Sequence, residues 1–255
     1  MLKDFLRHPL TKDLDIDDPR TTVLRKEIIR QKAFLRKIYE DWYQWIASRL
    51  PEGEGPVLEL GSGAGFLEDY IPGLITSEVF FCPLVQVIVD GCRMPLKKDS
   101  LRAVVMVDVF HHIPDIRSFL NEALRSLAPG GRILMVEPWI TPWSKFIYAH
   151  VHHEPMDAET EKWELPPSGP LSSANSALPW IVFHRDREVF RSEYPLLQTV
   201  DVSIEKPFLY LVSGGISYRS FMPGFLYGGW RRLESELKPW YNKLGMFAKI
   251  ELQKV

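Results

Sequence analysis

The sequence predicts a doubly wound α/β fold, and three features point to it. Residues 57–65 read VLELGSGAG, a strand-forming run that turns into glycines at 61, 63 and 65. Residues 101–109 (LRAVVMVDV) are almost unbroken apolar, as a strand covered on both faces requires. Between 57 and 138 short strand-like runs alternate with helical ones, which implies crossovers and parallel pairing.

In order along the chain, residues 1–19 form a polar leader rich in aspartate (Asp13, Asp15, Asp17, Asp18). From 20 to about 50 apolar residues recur at three- and four-residue spacing (Ile28, Phe34, Leu35, Ile38, Trp42, Ile46), a helical pattern whose lysines and arginines read as a solvated face. Pro51, Gly53, Gly55 and Pro56 make a linker. Strands are expected at 57–60, 74–80, 86–89, 101–109 and 133–136. A helix is expected at 66–71, stopped by Pro72, and another carries Phe119, Leu120, Ala123 and Leu127 before Pro129 and Gly130. After Pro138 the rhythm is lost until strands return at 196–204 and 247–253. Domain organisation is therefore expected to be a leader and helix over 1–50 and one domain over 51–255, with cap segments at about 139–195 and 207–245.

Bulk properties exclude several classes. Over 255 residues, 45% hydrophobic and 25% charged is ordinary for a globular chain, and the net charge of −2 gives no pull toward nucleic acid. Two cysteines make no disulfide framework and show no metal spacing. No signal-peptide core and no bilayer-spanning run is present. The expectation is a cytoplasmic protein acting on a small molecule, with no transmembrane segment; aromatics beside Arg231 and Arg232 leave peripheral membrane contact open.

In an open α/β sheet ligands bind beyond the carboxyl ends of the strands. Those ends carry Glu59 with the GSGAG turn, Glu78, Asp90, Asp108 and Glu137. The glycine spacing is one residue short of the dinucleotide pattern G-x-G-x-x-G, and nothing matches a P-loop. Acids at so many tips suit a ligand with hydroxyls and a cation better than a pyrophosphate. His111 and His112 follow the fourth strand, and His150, His152, His153 and Glu154 form a second cluster that lacks a well-spaced distant partner, so no metal is expected.

Taken together, VLELGSGAG, a strand-end acid, VDGCRMPL, VVMVDVFHHIPD and LRSLAPGGRILMVEP resemble, in order and spacing, the class I S-adenosylmethionine-dependent methyltransferases, closest to the small-molecule branch of quinone- and sterol-type enzymes. The resemblance covers about 55–140. It implies a Rossmann-like seven-stranded sheet in the order 3-2-1-4-5-7-6 with the last strand antiparallel, and S-adenosyl-L-methionine as cofactor. On the matching positions it implies that Glu59, Gly61, Ser62, Gly63 and Gly65 pass beneath the methionine moiety, that Glu78 takes the ribose hydroxyls, that Asp90, Gly91 and Cys92 frame the adenine, and that Asp108 borders the methionine end. Methyl transfer needs an aligned nucleophile and a way to lose its proton, which makes His111 or His112 a candidate base. His150, His153 and Trp139 are candidates for the substrate pocket, and oxygen is the favoured acceptor.

Each position also has a plainer role open to it: a turn for the glycines, solvated charge for Glu78, a turn cap for Asp90, packing for Cys92 and the histidines. Two other functions stay open, a cofactor-binding protein without turnover and an NAD-type oxidoreductase, the latter disfavoured by the glycine spacing.

Overall fold

The computed structural model describes residues 8–10, 17–151, 154–166, 169, 172–220 and 222–255. Helices α1 (Pro19–Gln31) and α2 (Ala33–Arg49) are followed by strands β1 (Val57–Glu59), β2 (Ile75–Glu78), β3 (Val87–Ile88) and β4 (Leu101–Val107). Then come α3 (Ile116–Ser126), β5 (Leu127–Pro138), α4 (Pro142–His150), β6 (Leu197–Glu205) and β7 (Phe247–Lys254), with short helical segments in the two long connections. The seven strands form one sheet in the order β3-β2-β1-β4-β5-β7-β6. The first five pair in parallel, while β7 runs antiparallel to both β5 and β6. That is the expected topology, and the reversal of strand order between the parallel neighbours β1 and β4 places a ligand crevice at their carboxyl ends.

Strand β4 shows why the sheet is covered twice. Val104 and Met106 pack with Phe119 and Leu120 of α3 on one face, and Ala103 and Val105 pack with Phe34, Ile38 and Trp42 of α2 on the other. Alternate side chains of one strand thus feed two cores. Each fully buried side chain of this size contributes about 1.5–3 kcal/mol, so α2, with seven buried residues in seventeen, is a structural layer of the sheet.

Several elements differ from expectation. The long N-terminal pattern is two helices, broken where Lys32 adopts φ −90°, ψ 80°. Lys32 is buried, which lowers its pKa to about 8, and its Nζ donates to the carbonyls of Gly215 and Tyr218, tying the break to the later connection. The helix expected at 66–71 is a single 3-10 turn, Leu67–Asp69. Six residues before Pro72 are too few for a stable helix, and Tyr43 of α2 fills that space against Phe66 and Tyr70. Strands 74–80 and 86–89 shorten to four and two residues, whereas β5 begins at Leu127, as α3 ends.

The first long connection holds more order than its composition suggests. Helix α4 starts with a reciprocal cap between Thr141 and Ser144. Leu178, Ile181, Val182, Phe183 and Phe190 join the core beside α3, so this part covers a face of the sheet instead of lying over the strand ends. Among the described residues no helix is long and apolar enough to cross a membrane.

Candidate active site

A cavity of about 460 Å³ opens at the carboxyl ends of the parallel strands, a size normal for a small-molecule site. Glu59, Gly61, Ser62, Gly65, Glu78, Asp90, Gly91, Asp108 and His112 all line it, although they come from four separate strand ends.

The glycine turn is shaped by close neighbours. Gly61 sits at φ +64°, and a methyl group there would run into the Val109 side chain. At Gly65 a methyl would come within 2.7 Å of the Tyr43 hydroxyl and 2.9 Å of the Ser62 carbonyl. Gly63 does not line the cavity; a methyl group there would run into the Glu78 carboxylate and the Thr22 side chain. The Ser77 amide donates to Ser62 Oγ at 3.0 Å, and Ser77 Oγ donates to the Glu59 carbonyl at 2.6 Å, locking the turn to β2. Burial pushes Glu59 up to about 8, and one of its carboxylate oxygens has no hydrogen-bond partner. Burial also raises Glu78, to about 6, with amides of Val79 and Gly63 holding it from rising further.

Asp90 is exposed to the cavity, and its Oδ1 accepts the Cys92 amide at 2.8 Å. Cys92 itself does not line the space: its Sγ faces the Asp115 carbonyl at 3.4 Å, and burial lifts its thiol to about 11, so it is a packing residue with an unreactive thiol.

The opposite end is built around Glu137, which closes β5 and is fully buried. Its Oε1 accepts the amides of Val109 (2.8 Å) and Phe110 (2.7 Å), and its Oε2 accepts Nδ1–H of His111 at 2.7 Å. The turn after β4 therefore hangs on one carboxylate, with Asp108 held at φ +63° beside it. Burial works against a charged His111, yet the Glu137 and Glu154 carboxylates raise its pKa well above the ordinary value. His111 is wholly buried and does not open onto the cavity. His112 does: its Nδ1–H donates to the Ser173 carbonyl at 2.9 Å, and burial with the neighbouring His111 lowers its pKa to about 4. Asp108 is held up, first by burial and then by Glu154 and Glu137, against the pull of His111.

Other candidates fall elsewhere. His150 is exposed on α4 with Nδ1 on the Phe146 carbonyl at 2.8 Å, and it does not reach the cavity. Trp139 is 3% exposed and packs in the core beside His184, because β5 turns it inward with its amide on the Met246 carbonyl. His153 lies outside the described residues. In their place the walls are supplied by Tyr39 and Tyr43 of α2, Thr22 and Arg25 of α1, Tyr148, Tyr210 and Glu154. Only Glu154 carried a chemical signal in the sequence, through its histidine-rich surroundings; the tyrosines read as helix or core aromatics.

Comparison with known proteins agrees with this arrangement. Residues 74–135 match the family model described as a methyltransferase domain. Geranyl diphosphate C-methyltransferase from Streptomyces coelicolor A3(2), in complex with Mg2+, geranyl diphosphate and S-adenosyl-L-homocysteine, is similar over 91% of this chain and 84% of its own, at 11% identity and TM-score 0.51. A SAM-dependent methyltransferase from Thermotoga maritima is similar over 91% and 96%, at 16% identity and TM-score 0.52. A chain of the complex between the Haloferax volcanii Trm112 methyltransferase activator and a methyltransferase is similar over 94% and 97%, at 15% identity and TM-score 0.51. No curated protein matches the sequence. The fold is that of the class I methyltransferases. The methyltransferase-domain match, residues 74–135, falls inside that fold and spans β2 to β5.

Proposed function

We propose that the chain transfers the methyl group of S-adenosylmethionine to an oxygen of a small amphipathic acceptor. The observation that carries this reading is the division of one cavity into two ends, a glycine turn with strand-end acids on one side and the His112–Glu154 pair on the other. At the first end, Gly61, Ser62 and Gly65 offer a close backbone surface to the methionine moiety, with the buried Glu59 beneath. Glu78 accepts from the two ribose hydroxyls, since one carboxylate takes two hydrogen bonds at once. Asp90 and Gly91 face the adenine, and the Cys92 N–H supports them by donating a hydrogen bond to the Asp90 carboxylate.

Asp108 and the second end face the sulfonium. An acceptor oxygen lying there in line with the C–S bond forms the O–CH3 bond as that bond breaks, leaving neutral S-adenosylhomocysteine, and its proton departs through the polar end. His112 and Glu154 activate the acceptor. His111 is a positioning residue, fixed by Glu137 and acting through its neighbour.

Acceptor character follows from the walls. Tyr39, Tyr43, Tyr148, Tyr210 and Ile216 give amphipathic and apolar surface, and among the described residues the lining contains five carboxylates against the single cationic side chain of Arg25. That balance favours a neutral or cationic acceptor over a polyanion. Glu154, Pro166, Gly169 and Ser173 from the first long connection and Tyr210, Ile216 and Ser217 from the second border the cavity and set specificity, which is the cap role narrowed to the residues that reach it. Resemblance to the quinone and sterol branch supports the same class of acceptor.

The test is methyl transfer from radiolabelled S-adenosylmethionine to a panel of phenols, amines and activated carbon acceptors carrying apolar tails. Phenolic turnover that falls by about 100-fold or more in Glu154→Gln, the scale general acid–base groups supply, supports the reading. Transfer to amines or carbon alone overturns the oxygen assignment, and binding without transfer to any acceptor favours a cofactor-binding role.

A further inference from the structure

We propose that His111, His112 and Glu154 form a binding site for one divalent transition-metal ion, of the zinc, cobalt or iron type, at the acceptor end of the cavity. The bearing of this ion on methyl transfer rests on the function proposed above; the site itself rests on geometry.

Both histidines have their Nδ1 committed. In His111 it donates to Glu137 Oε2 at 2.7 Å, and in His112 to the Ser173 carbonyl at 2.9 Å. A carboxylate and a carbonyl can only accept, so Nδ1 carries a proton in each ring, and Nε2 is the nitrogen left to take a second proton or a metal ion. This is the outer support of metal-binding histidines, whose second nitrogen donates to a carboxylate or a backbone carbonyl.

The two Nε2 atoms then converge on one carboxylate. Nε2 of His111 lies 3.5 Å from Glu154 Oε2, and Nε2 of His112 lies 3.8 Å from Glu154 Oε1, with the imidazole centroids 4.2 Å apart. The carboxylate favours positive charge at this point, which a proton on His111 Nε2 supplies in the metal-free protein and a bound metal ion would supply in its place. The spacing fits an ion: donors about 2.1 Å from a tetrahedral metal are roughly 3.4 Å from one another. One ligand atom from each of the three residues falls within 4.8 Å of the others.

His111 supplies the independent sign. It is 0% exposed, yet its Nε2 has no hydrogen-bond partner. A buried imidazole nitrogen aimed at a carboxylate without a bond is a polar group left short, and a metal ion satisfies it. The alternative grouping of Asp108, His111 and Glu137 is excluded by the 2.7 Å contact between His111 and Glu137, too short to admit an ion.

Two histidines and one carboxylate select transition metals over magnesium and leave coordination positions open. His112 and Glu154 border the cavity, so those positions face it. An acceptor oxygen bound there becomes more acidic and is held beside the sulfonium. In that state His112 and Glu154 act as ligands, and the metal activates the acceptor.

Titration of the purified full chain, first stripped with chelator, with Co2+ followed by visible absorption and with Zn2+ in competition, tests the site. The expected result is one saturable equivalent of Co2+, displaced by Zn2+ and not by Mg2+, weakened at least tenfold in both His112→Ala and Glu154→Gln and unchanged in His150→Ala. Binding of S-adenosylhomocysteine measured on each preparation reports fold and cofactor site separately. No saturable ion binding in a protein that binds S-adenosylhomocysteine, or ion binding untouched by both substitutions, overturns the metal site and leaves the methyltransferase reading standing; His111 is then the protonated partner of Glu154.

Discussion

The two ends of the cavity are built by different means. At the end proposed for the cofactor the shaping residues are close in sequence: β1, its glycine turn and the tip of β2 lie within 57–78, and the Ser62 and Ser77 hydroxyls hold them through hydrogen bonds to nearby backbone groups. At the end proposed for the acceptor Glu137, His111, His112, Glu154 and Ser173 come from separate parts of the chain, and one buried carboxylate orders the turn that carries both histidines. The first end is a local motif whose precision comes from backbone conformation. The second is a long-range network that stands or falls with side-chain partners. A shared methyl donor with many different acceptors suits such a division, since one end can vary while the other stays constant.

The contrast is tested most severely at Glu137. Glu137→Ala removes three hydrogen bonds from a fully buried carboxylate and strands the amides of Val109 and Phe110 and the imidazole of His111. A loss of about 3–5 kcal/mol in chemical denaturation is expected; a loss below about 1 kcal/mol contradicts its place as the support of that end.

Gly61→Ala probes the other end through backbone alone. A side chain at φ +64° against Val109 is expected to cost about 1–3 kcal/mol of stability, and S-adenosylmethionine binding should weaken with it. Unchanged stability and binding would show that the turn tolerates another conformation.

Glu78→Ala should leave stability nearly intact and weaken S-adenosylmethionine binding about tenfold, roughly 1.4 kcal/mol, by titration calorimetry. A variant that binds as tightly as the parent removes Glu78 from the ribose role.

The smallest expected effect has a pH signature. Glu59 is raised from the usual carboxylate range to about 8 by burial, so the folded chain holds that proton better than the unfolded one. Its contribution is fully present below the unfolded glutamate pKa and is lost as pH rises through about 8. Glu59→Gln keeps the neutral shape and should raise Tm at pH 8.5 by roughly 2–4 °C, about 1 kcal/mol for a chain of this size, and by less at pH 5. An equal change at both pH values contradicts a protonated Glu59.

What the sequence disclosed follows the same division. The glycine turn, the acids at the strand tips and the apolar run of β4 are contiguous patterns; they pointed to the α/β class, and the family resemblance they carry implied the sheet order and the residues that line the cavity at the glycine turn. The acceptor end was legible only in fragments. Glu137 read as one more strand-end acid, because nothing in its neighbours shows that β5 will bury it against His111. Tyr39 and Tyr43 read as one face of a helix, since periodicity reveals that a face is buried but not that it also borders a cavity. Trp139 and His150 follow the other path. They follow or sit near the end of β5, but the strand direction sends Trp139 into the core and the last turn of α4 sends His150 outward. The helix expected at 66–71 failed for a countable reason, six residues before a proline, and α2 took the space.

The central claim is tested most directly by calorimetric titration of the purified chain with S-adenosylmethionine and with S-adenosylhomocysteine, repeated on Asp90→Ala. The account predicts one site of roughly micromolar affinity for each ligand, weakened at least tenfold, about 1.4 kcal/mol, by the substitution. A folded parent protein that binds neither ligand would contradict it.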